Sequence, residues 1–265
     1  MSSELELKNP HSVMAALNHR AHDVLELVFS RRNVEGIWQE IADLAGQKGI
    51  SVRFERLTSG QRRQPKNLGN KQERTGSAMA RVRPKAAISL EAMFQECAAA
   101  NDDSSSDHHG LWLAVDSLQD PQNLGAIFRS AGFFGIKGLI TTKNRAAPMS
   151  AVVYDVAAGG VESVPYVVVS NLQQAIKTAK KSGLWVLGTS EHAAENMGDL
   201  SLDRHWLIVL GNEQSGIRQL TTQNCDLLCS IPVLGQVTSL NAGVAAAITM
   251  AHFSGALKPT SPENV

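Results

Sequence analysis

The sequence predicts an α/β protein in which a mostly parallel sheet is covered on both faces and is preceded by a smaller α/β module. From Leu111 onward, short apolar segments alternate with segments of helical periodicity, as in βαβ units. Ahead of Leu111, the polar segment "AAANDDSSSDHHG" has the composition of a linker. The chain therefore divides into an N-terminal domain (1–85), a flexible acidic linker (86–110), a main domain (111–258) and a tail (259–265).

The N-terminal domain is predicted to contain two helix–strand pairs. The segment "SVMAALNHRAH" has apolar residues at helical spacing and leads into an apolar strand at residues 24–29. A second helix carries Ile37, Ile41 and Leu44 at helical spacing and leads into a second strand within "GISVRFE". These elements are enough for a small two-layer module.

The main domain alternates strands and helices along the chain. Its strands are nearly continuous apolar runs, which is typical of a parallel sheet buried on both faces. The helices between them supply the crossovers that parallel strands require. The predicted strands are "LWLAVDSL", "KGLITT", "VPYVVV", "LWVLGT", "HWLIVLG" and "LLCSIPV", and the predicted helices are "NLGAIFRSAGFFG", "NLQQAIKTAKKSG" and the segment from Asn241.

The composition is that of a folded, soluble protein. Of the 265 residues, 43% are hydrophobic, which is ample for a real core. Lys plus Arg and Asp plus Glu are 25 each, so the net charge does not by itself indicate a nucleic-acid partner. The first residues lack the apolar core of a signal peptide, and no apolar run reaches the roughly 18 residues of a membrane helix. Three cysteines give no even disulfide framework, so we expect a cytoplasmic protein.

A basic segment runs from Arg53 to Lys85 and contains ten Lys or Arg residues against two acids. Few internal partners are evident for these charges, and neutralising phosphates is a common use of such a segment. We predict a mobile basic arm that contacts phosphates through Arg62, Arg63 and Lys66. A solvated loop without a ligand is the alternative.

Polar or glycine-rich sequence follows four of the predicted strands: "DSLQDPQNLG", "GTSEH", "GNEQSG" and "PVLGQVTSLN". In a parallel sheet the ligand site lies beyond the carboxyl ends of the strands, and glycine lets the backbone approach a ligand closely. These segments therefore predict a nucleotide-like ligand held largely by main-chain groups. The phosphate-binding motif G-x-x-x-x-G-K-[ST] and a dinucleotide-binding glycine motif in a first βαβ unit are both absent.

Two features that could suggest other chemistry are better explained by packing. Cys225 and Cys229 lie in the apolar segment "CDLLC" without a second pair nearby, so we expect buried thiols and no metal site. His252 lies between apolar residues of the last helix, and we expect it to pack there and not to act as a base.

Three segments resemble, in order and spacing, the sequence motifs of the TrmH (SpoU) branch of the SPOUT RNA methyltransferases. They are "DPQNLGAIFRSAGFFGI", "LIVLGNEQSGI" and "IPVLGQVTSLNAGVAAAI", and the resemblance covers roughly Leu111 to Phe253. The N-terminal domain is similar, more loosely, to the L30e-like RNA-binding domain of the 23S ribosomal RNA guanosine-2'-O-methyltransferases, with "NPHSVMAAL" in place of "G-x-H-A-V".

The resemblance implies a C-terminal deep trefoil knot that forms the pocket for S-adenosyl-L-methionine, and a homodimer that binds RNA. It also implies that the polar junction before the last helix is a wall of that pocket. A structural role for this junction, with Ser239 or Thr238 as the N-cap of the helix, is compatible with it. The cofactor-binding residues it implies are Thr189, Gly211, Ile231, Ser239 and Leu240.

The resemblance also implies four catalytic residues: Arg129, Asn123, Glu213 and Asn241. A ribose 2'-hydroxyl is a poor nucleophile, so its proton must be accepted or its developing charge stabilised. Arg129 could be a deprotonated base, or a cation that holds a phosphate and the developing alkoxide. Family members commonly have Ser where this chain has Gly243, so any hydroxyl function at that position is lost.

The expected function is methylation of a ribose 2'-hydroxyl in RNA, at a guanosine of large-subunit ribosomal RNA. One alternative is a tRNA ribose methyltransferase of the same fold, and another is an RNA-binding protein that retains the knot without the activity. The separate N-terminal domain favours ribosomal RNA over tRNA. The intact motif residues argue against the inactive alternative.

Overall fold

The computed structural model describes five stretches of the chain: residues 4–30, 34–55, 78–100, 109–212 and 216–257. Among the helices in these stretches, none combines the length and apolar character that crossing a membrane requires. The described residues form two sheets with their helices, one sheet in each domain.

The described elements of the N-terminal domain are β1 (Leu5–Leu7), α1 (Pro10–Arg20), β2 (Val24–Phe29), α2 (Ile37–Gln47), β3 (Ser51–Phe54) and β4 (Ala78–Val82). Its strands form one sheet in the order β1-β4-β2-β3, in which β2 and β3 are parallel and β4 is antiparallel to both neighbours. The two predicted helix–strand pairs are confirmed. The prediction misses β1 and β4, because β1 is too short to show alternation and β4 lies in the basic segment.

The main domain is a seven-stranded, fully parallel sheet in the order β7-β6-β5-β10-β8-β11-β9. Its described elements, in chain order, are α3 (Leu90–Ala100), β5 (Leu111–Val115), α4 (Pro121–Phe133), β6 (Gly138–Thr142), α5 (Ala151–Ala157), α6 (Gly160–Ser163), β7 (Tyr166–Val169), α7 (Leu172–Lys181), β8 (Trp185–Thr189), β9 (Glu195–Asn196), β10 (Trp206–Leu210), α8 (Gln219–Thr222), β11 (Leu227–Ser230) and α9 (Ala242–Phe253). The predicted parallel sheet is therefore confirmed.

Both faces of this sheet are buried, because successive side chains of a strand point to opposite faces. On β5, Leu113 and Val115 face a core that includes α4, α5 and α9, whereas Trp112 and Ala114 face a second core with α3 and α7. The strand β10 alternates between the same two cores. Apolar runs without alternation, as the sequence shows, follow from this double burial.

The linker predicted for residues 86–110 is only partly correct. Residues 90–100 form α3, and its Phe94 packs on Trp112 with ring centroids 6.0 Å apart. Ile88 donates its backbone N–H to the carbonyl of Tyr166, so the chain also covers the edge strand β7. The prediction gave weight to the small and acidic residues and overlooked the apolar positions of "LEAMFQEC", which the sheet of the main domain buries.

The two domains share a contiguous core and a set of polar contacts. The guanidinium of Arg20, at the end of α1, donates to both carboxylate oxygens of Glu162 in α6, at 2.7 and 2.8 Å. Both side chains are buried. The ammonium of Lys85 donates to the carbonyl oxygens of Val161, Glu162 and Val164 at 2.8–3.1 Å. Burial lowers the pKa of this ammonium.

The sequence predicts that the basic segment is a mobile arm. In the structure, both ends of this segment are held by contacts with the rest of the protein. Arg53 lies in β3 and Arg81 in β4, and both guanidinium groups pair with the carboxylate of Glu26. Lys85 is held in the domain interface. These cations therefore have internal partners, which sequence proximity alone does not reveal. Arg62, Arg63 and Lys66 lie outside the described residues, so their predicted contact with phosphates stays a prediction.

Candidate functional site

A cavity of about 600 Å³ opens at the carboxyl ends of β8, β10 and β11. Three of the four polar strand-end segments line it, through residues 189–192, 210–212 with 216–217, and 231–234 with 237–240. The fourth segment, after β5, holds one of these loops in place and does not line the cavity. An opening at the carboxyl edge of a parallel sheet is where the sequence predicts a ligand site.

The cavity brings together all five residues that were predicted to bind a cofactor. Thr189 ends β8, whereas Gly211 and Ile231 directly follow β10 and β11, and Ser239 and Leu240 precede α9. Leu240 is half exposed, so its side chain is available for contact with a ligand. The hydroxyl of Thr189 donates to the carbonyl of Val209 at 3.3 Å, and its lone pairs can still accept a hydrogen bond.

The loop after β10 folds back tightly on its own start. Asn212 and Gly216 exchange both backbone hydrogen bonds, at 3.0 and 2.9 Å. A Cβ atom at Gly211 would lie 2.1 Å from the carbonyl carbon of Gly216, so no other residue fits there without displacing the loop. Glu213, a predicted catalytic residue, lies outside the described residues.

Asp116 supports the loop beside the cavity without lining the cavity, a role that the sequence did not predict. Its fully buried carboxylate, directly after β5, accepts hydrogen bonds from the hydroxyl of Thr221 at 2.8 Å and from Ser117 at 3.2 Å. It also pairs with the guanidinium of Arg218 at 2.6 Å. This carboxylate thereby ties β5 to the segment that follows the loop of Gly211. An acid directly after an apolar strand is the sequence signal that could have identified it.

The junction before α9 is capped by Asn241, and not by Ser239 or Thr238 as the sequence suggested. The side-chain oxygen of Asn241 accepts from the backbone N–H groups of Gly243 at 2.9 Å and Val244 at 3.3 Å. The helix begins at Ala242, so Ser239 and Thr238 lie two and three residues ahead of its N-cap and are too far from the first N–H groups to cap it.

The two predicted catalytic asparagines are in direct contact. The amide NH₂ of Asn241 donates to the side-chain oxygen of Asn123 at 2.9 Å. Asn123 lies in the first turn of α4, after the N-cap Asp120, and is buried. A Cβ atom at Gly243 would lie 3.3 Å from that of Ala126, so the glycine allows α9 to begin close against α4.

Arg129 lies in the third turn of α4, six residues after Asn123. It is exposed and makes no ion pair or side-chain hydrogen bond with any of the residues that the structure describes. Six helical positions place its Cα about 9 Å along the axis from Asn123 and about 120° around it. It does not line the cavity, so the structure does not bring it together with the predicted cofactor residues.

The thiols and His252 behave as packing residues. Cys229, in the cavity wall, has a pKa that burial raises to about 12, and burial raises the pKa of Cys225, which precedes β11, to about 11. Such thiols stay protonated and unreactive near neutral pH. His252 contacts Phe253 edge to face. Within the described stretches, no group of three or more His, Cys, Asp or Glu side chains could hold a metal ion.

An apolar surface lies beside the cavity. We call it the α9 patch; it consists of Val233, Leu234, Val237, Leu240, Val244 and Ile248, all exposed. Val244 and Ile248 lie one turn apart on α9, whereas the other four members also line the cavity. Contiguous exposed apolar residues of this kind commonly mark a contact surface.

Comparison with protein families identifies the main domain. Residues 110–251 match the model of the SpoU rRNA Methylase family. The 23S rRNA (guanosine-2'-O-)-methyltransferase RlmB of Bordetella pertussis is 32% identical over 253 residues, which cover 94% of this chain and 96% of that protein. The RlmB of Nitrosomonas europaea is 42% identical over 140 residues, which cover 53% of this chain and 54% of that protein.

Two solved structures share the fold over nearly the whole chain. The SpoU methyltransferase AviRb from Streptomyces viridochromogenes has a TM-score of 0.73 at 20% identity, covering 95% of this chain and 88% of that one. The same protein in complex with the cofactor AdoMet has a TM-score of 0.71 at 22% identity, covering 95% and 89%. At these identities the likeness establishes the fold alone.

Proposed function

The chain belongs to the SpoU rRNA methylase family, and from this premise we propose that it transfers a methyl group from S-adenosylmethionine to a ribose 2'-hydroxyl of RNA. The substrate class is a guanosine of 23S-type ribosomal RNA, which is what the names of the RlmB relatives state for those proteins. The observation that carries the proposal is the cavity at three strand ends, which contains every residue expected to hold the cofactor.

The cavity suits S-adenosylmethionine in size and in chemistry. About 600 Å³ lies within the range of small-molecule and cofactor sites. Its lining combines apolar side chains, including Ile231 and Leu240, with hydroxyl and main-chain groups near Thr189, Gly211 and Ser239. We propose that these five residues hold the cofactor. When bound, it supplies an electrophilic methyl group on a sulfonium.

The catalytic roles follow from the chemistry of each side chain. Arg129 carries an exposed guanidinium without a described carboxylate partner, so it is available to an RNA phosphate or to the developing alkoxide. A guanidinium stays protonated near neutral pH, which favours charge stabilisation over proton abstraction. Asn123 and Asn241 provide amide groups at the start of α4 and α9. We propose Glu213 as the fourth catalytic residue because it lies in the second motif, "LIVLGNEQSGI".

We also propose that the C-terminal segment forms a deep trefoil knot. The sheet order separates β11 from β5 by two strands, yet α9 packs against α4, which directly follows β5. Residues 231–241 must therefore cross the ends of β8 and β10. A crystal structure tests this proposal. A traced backbone in which the C-terminal segment does not pass through an earlier loop would contradict the knot.

The N-terminal domain is proposed to be an L30e-like RNA-binding domain, with Arg62, Arg63 and Lys66 on the RNA. Reversing these three charges should weaken RNA binding and flatten its salt dependence, because each phosphate contact releases counterions. Affinity for S-adenosylmethionine should stay unchanged, which calorimetry measures. A salt dependence equal to that of the unaltered protein would assign the segment to the solvated-loop alternative.

We propose a homodimer in which the α9 patch of one chain meets that of the other around a two-fold axis. Light scattering at micromolar concentration should give twice the 28.5 kDa chain mass. Val244→Glu should shift the mass toward that of a monomer, because it places a charge in an apolar interface. Val168→Glu on the edge strand β7 is the matched control and should leave the mass unchanged. An active monomer would contradict this proposal.

The function itself is tested with unmodified 23S ribosomal RNA and methyl-labelled S-adenosylmethionine. We expect label in an alkali-resistant dinucleotide that contains guanosine, since a methylated 2'-oxygen blocks cleavage. Calorimetry should show that S-adenosylmethionine binds without added metal. Label in tRNA but not in 23S RNA would show that the substrate is tRNA and not ribosomal RNA. Binding of NADH or ATP, with none of S-adenosylmethionine, would overturn the function.

A further inference from the structure

Two cations lie in the turn that follows β6, which we call the β6 turn (residues 143–147). They are Lys143 and Arg145, and both side chains are exposed. The main sheet is fully parallel, so this turn opens at the same carboxyl edge as the cavity. In the sheet order β6 is two positions from β10, whose carboxyl end borders the cavity. The β6 turn therefore lies about 10 Å to the side of that end.

Hydrogen bonds connect the β6 turn to the wall of the cavity. The side-chain NH₂ of Asn212, which lines the cavity, donates to the carbonyl of Ser117 at 2.9 Å. The backbone N–H of Ser117 donates in turn to the hydroxyl of Thr142 at 3.3 Å. A further backbone hydrogen bond runs from Ala147 to the carbonyl of Leu118 at 2.7 Å. The β6 turn is thus held in a fixed position beside the cavity.

The charges of the β6 turn have no counter-charge among the described residues. Neither side chain forms an ion pair with a described carboxylate. Of the two acids in the neighbouring turn after β5, Asp116 pairs with Arg218 and Asp120 caps α4. From residue 121 to 154 the sequence has four Lys or Arg and no Asp or Glu, although the whole chain has 25 of each class. The turn therefore presents two uncompensated positive charges to solvent.

The backbone of Arg145 gives a second indication that its side chain has a function. Its φ is +54°, in the left-handed region that favours glycine or asparagine. No ion pair or side-chain hydrogen bond with a described residue offsets the strain of an arginine in this conformation. Strained residues of this kind concentrate at sites that bind ligands. Packing within the described chain therefore does not explain the arginine, whereas a bound anion does.

We propose that the β6 turn binds phosphate groups of the RNA strand whose ribose lies at the cavity, through Lys143 and Arg145. This inference rests on the proposed function. S-adenosylmethionine carries no phosphate, so the cofactor does not supply the anion. Contacts with phosphates position a nucleic acid without reading its sequence. The β6 turn holds the strand beside the cavity and takes no part in the methyl transfer itself.

The double variant Lys143→Ala, Arg145→Gly tests the proposal with unmodified 23S ribosomal RNA, by filter binding over a range of salt concentrations. We expect RNA affinity to fall by about tenfold, because each exposed ion pair contributes a factor of up to about five. The slope of log affinity against log salt should decrease by about 1.5, since each lost phosphate contact removes roughly 0.7–0.9 from it. Affinity for S-adenosylmethionine and kcat at saturating RNA should stay unchanged.

The melting temperature should also stay close to that of the unaltered protein, because glycine adopts a positive φ without strain. Arg145→Asn alone decides the question if the double variant is unstable, since asparagine also tolerates this backbone. It should produce about half of the decrease in slope. Arg145→Lys keeps the charge and should retain most of the affinity.

Lys137→Ala is the matched control. Lys137 is also exposed and directly precedes β6, so it lies at the opposite edge of the sheet, about 20 Å from Lys143. Its removal takes away one positive charge without touching the carboxyl edge. Affinity for RNA and its salt dependence should therefore equal those of the unaltered protein.

An unchanged salt slope in the double variant would overturn the proposal. Equal losses in Lys137→Ala and in Arg145→Asn would also overturn it, because the effect would then be one of overall charge. So would a lower kcat at saturating RNA with unchanged affinity. If the unaltered protein binds RNA without methylating it, the proposed function fails, and the same binding comparison still decides this inference.

Discussion

Arg129→Ala should abolish methyl transfer while the protein still folds and binds S-adenosylmethionine. We expect kcat to fall by at least about 10²–10³-fold, the usual effect of removing a group that stabilises charge in the transition state. Stability should change by only about 0.5 kcal/mol, because Arg129 is exposed and has no described partner. Single-turnover methylation with saturating cofactor measures the first effect, and chemical denaturation measures the second.

Two further variants separate the explanations. Lys177→Ala removes another exposed cation, from α7 on the other face of the sheet, and should leave methylation unchanged. Arg129→Lys keeps the charge but loses the planar fork of the guanidinium. Substantial activity in Arg129→Lys would favour simple charge stabilisation, and near-complete loss would favour a need for guanidinium geometry. Full activity in Arg129→Ala would move the assignment to Glu213.

Glu162→Ala should be the most destabilising single change in the domain interface, at about 3–5 kcal/mol. Removing the carboxylate leaves the guanidinium of Arg20 buried without its counter-charge. Burial alone would lower the pKa of Arg20, but the hydrogen bond and charge of Glu162 outweigh it and raise the pKa. Urea denaturation followed by tryptophan fluorescence measures the loss.

An exposed ion pair provides the control for this prediction. Lys180 and Asp226 are 2.7 Å apart with about a third of each side chain exposed, so Lys180→Ala should cost no more than about 1 kcal/mol. The double variant Arg20→Met, Glu162→Leu should recover much of the stability, because two apolar side chains need no counter-charge. Equal losses for Glu162→Ala and Lys180→Ala would show that the interface pair contributes no more than a surface pair.

The sequence by itself determined the fold class of the main domain, its family and the segments that line the cavity. These features are encoded locally. Each of the signals lies within a few dozen residues of sequence. They are apolar runs of strand length, glycines at which the backbone can approach a ligand closely, and the spacing of residues within a motif. Gly211 and Ile231 could therefore be placed directly after strands, and Leu240 directly before the last helix, before their mutual distances were known.

The tertiary structure alone decided which side chains meet. Asp116 acquires Thr221 as a partner 105 residues away, and Arg20 acquires Glu162 142 residues away. Asn241 likewise acquires Asn123 as a hydrogen-bond partner, because α9 packs against α4. Burial gives such contacts their energy, because a polar group removed from water must find a partner wherever the fold brings one within reach. That requirement leaves no periodic pattern in the sequence.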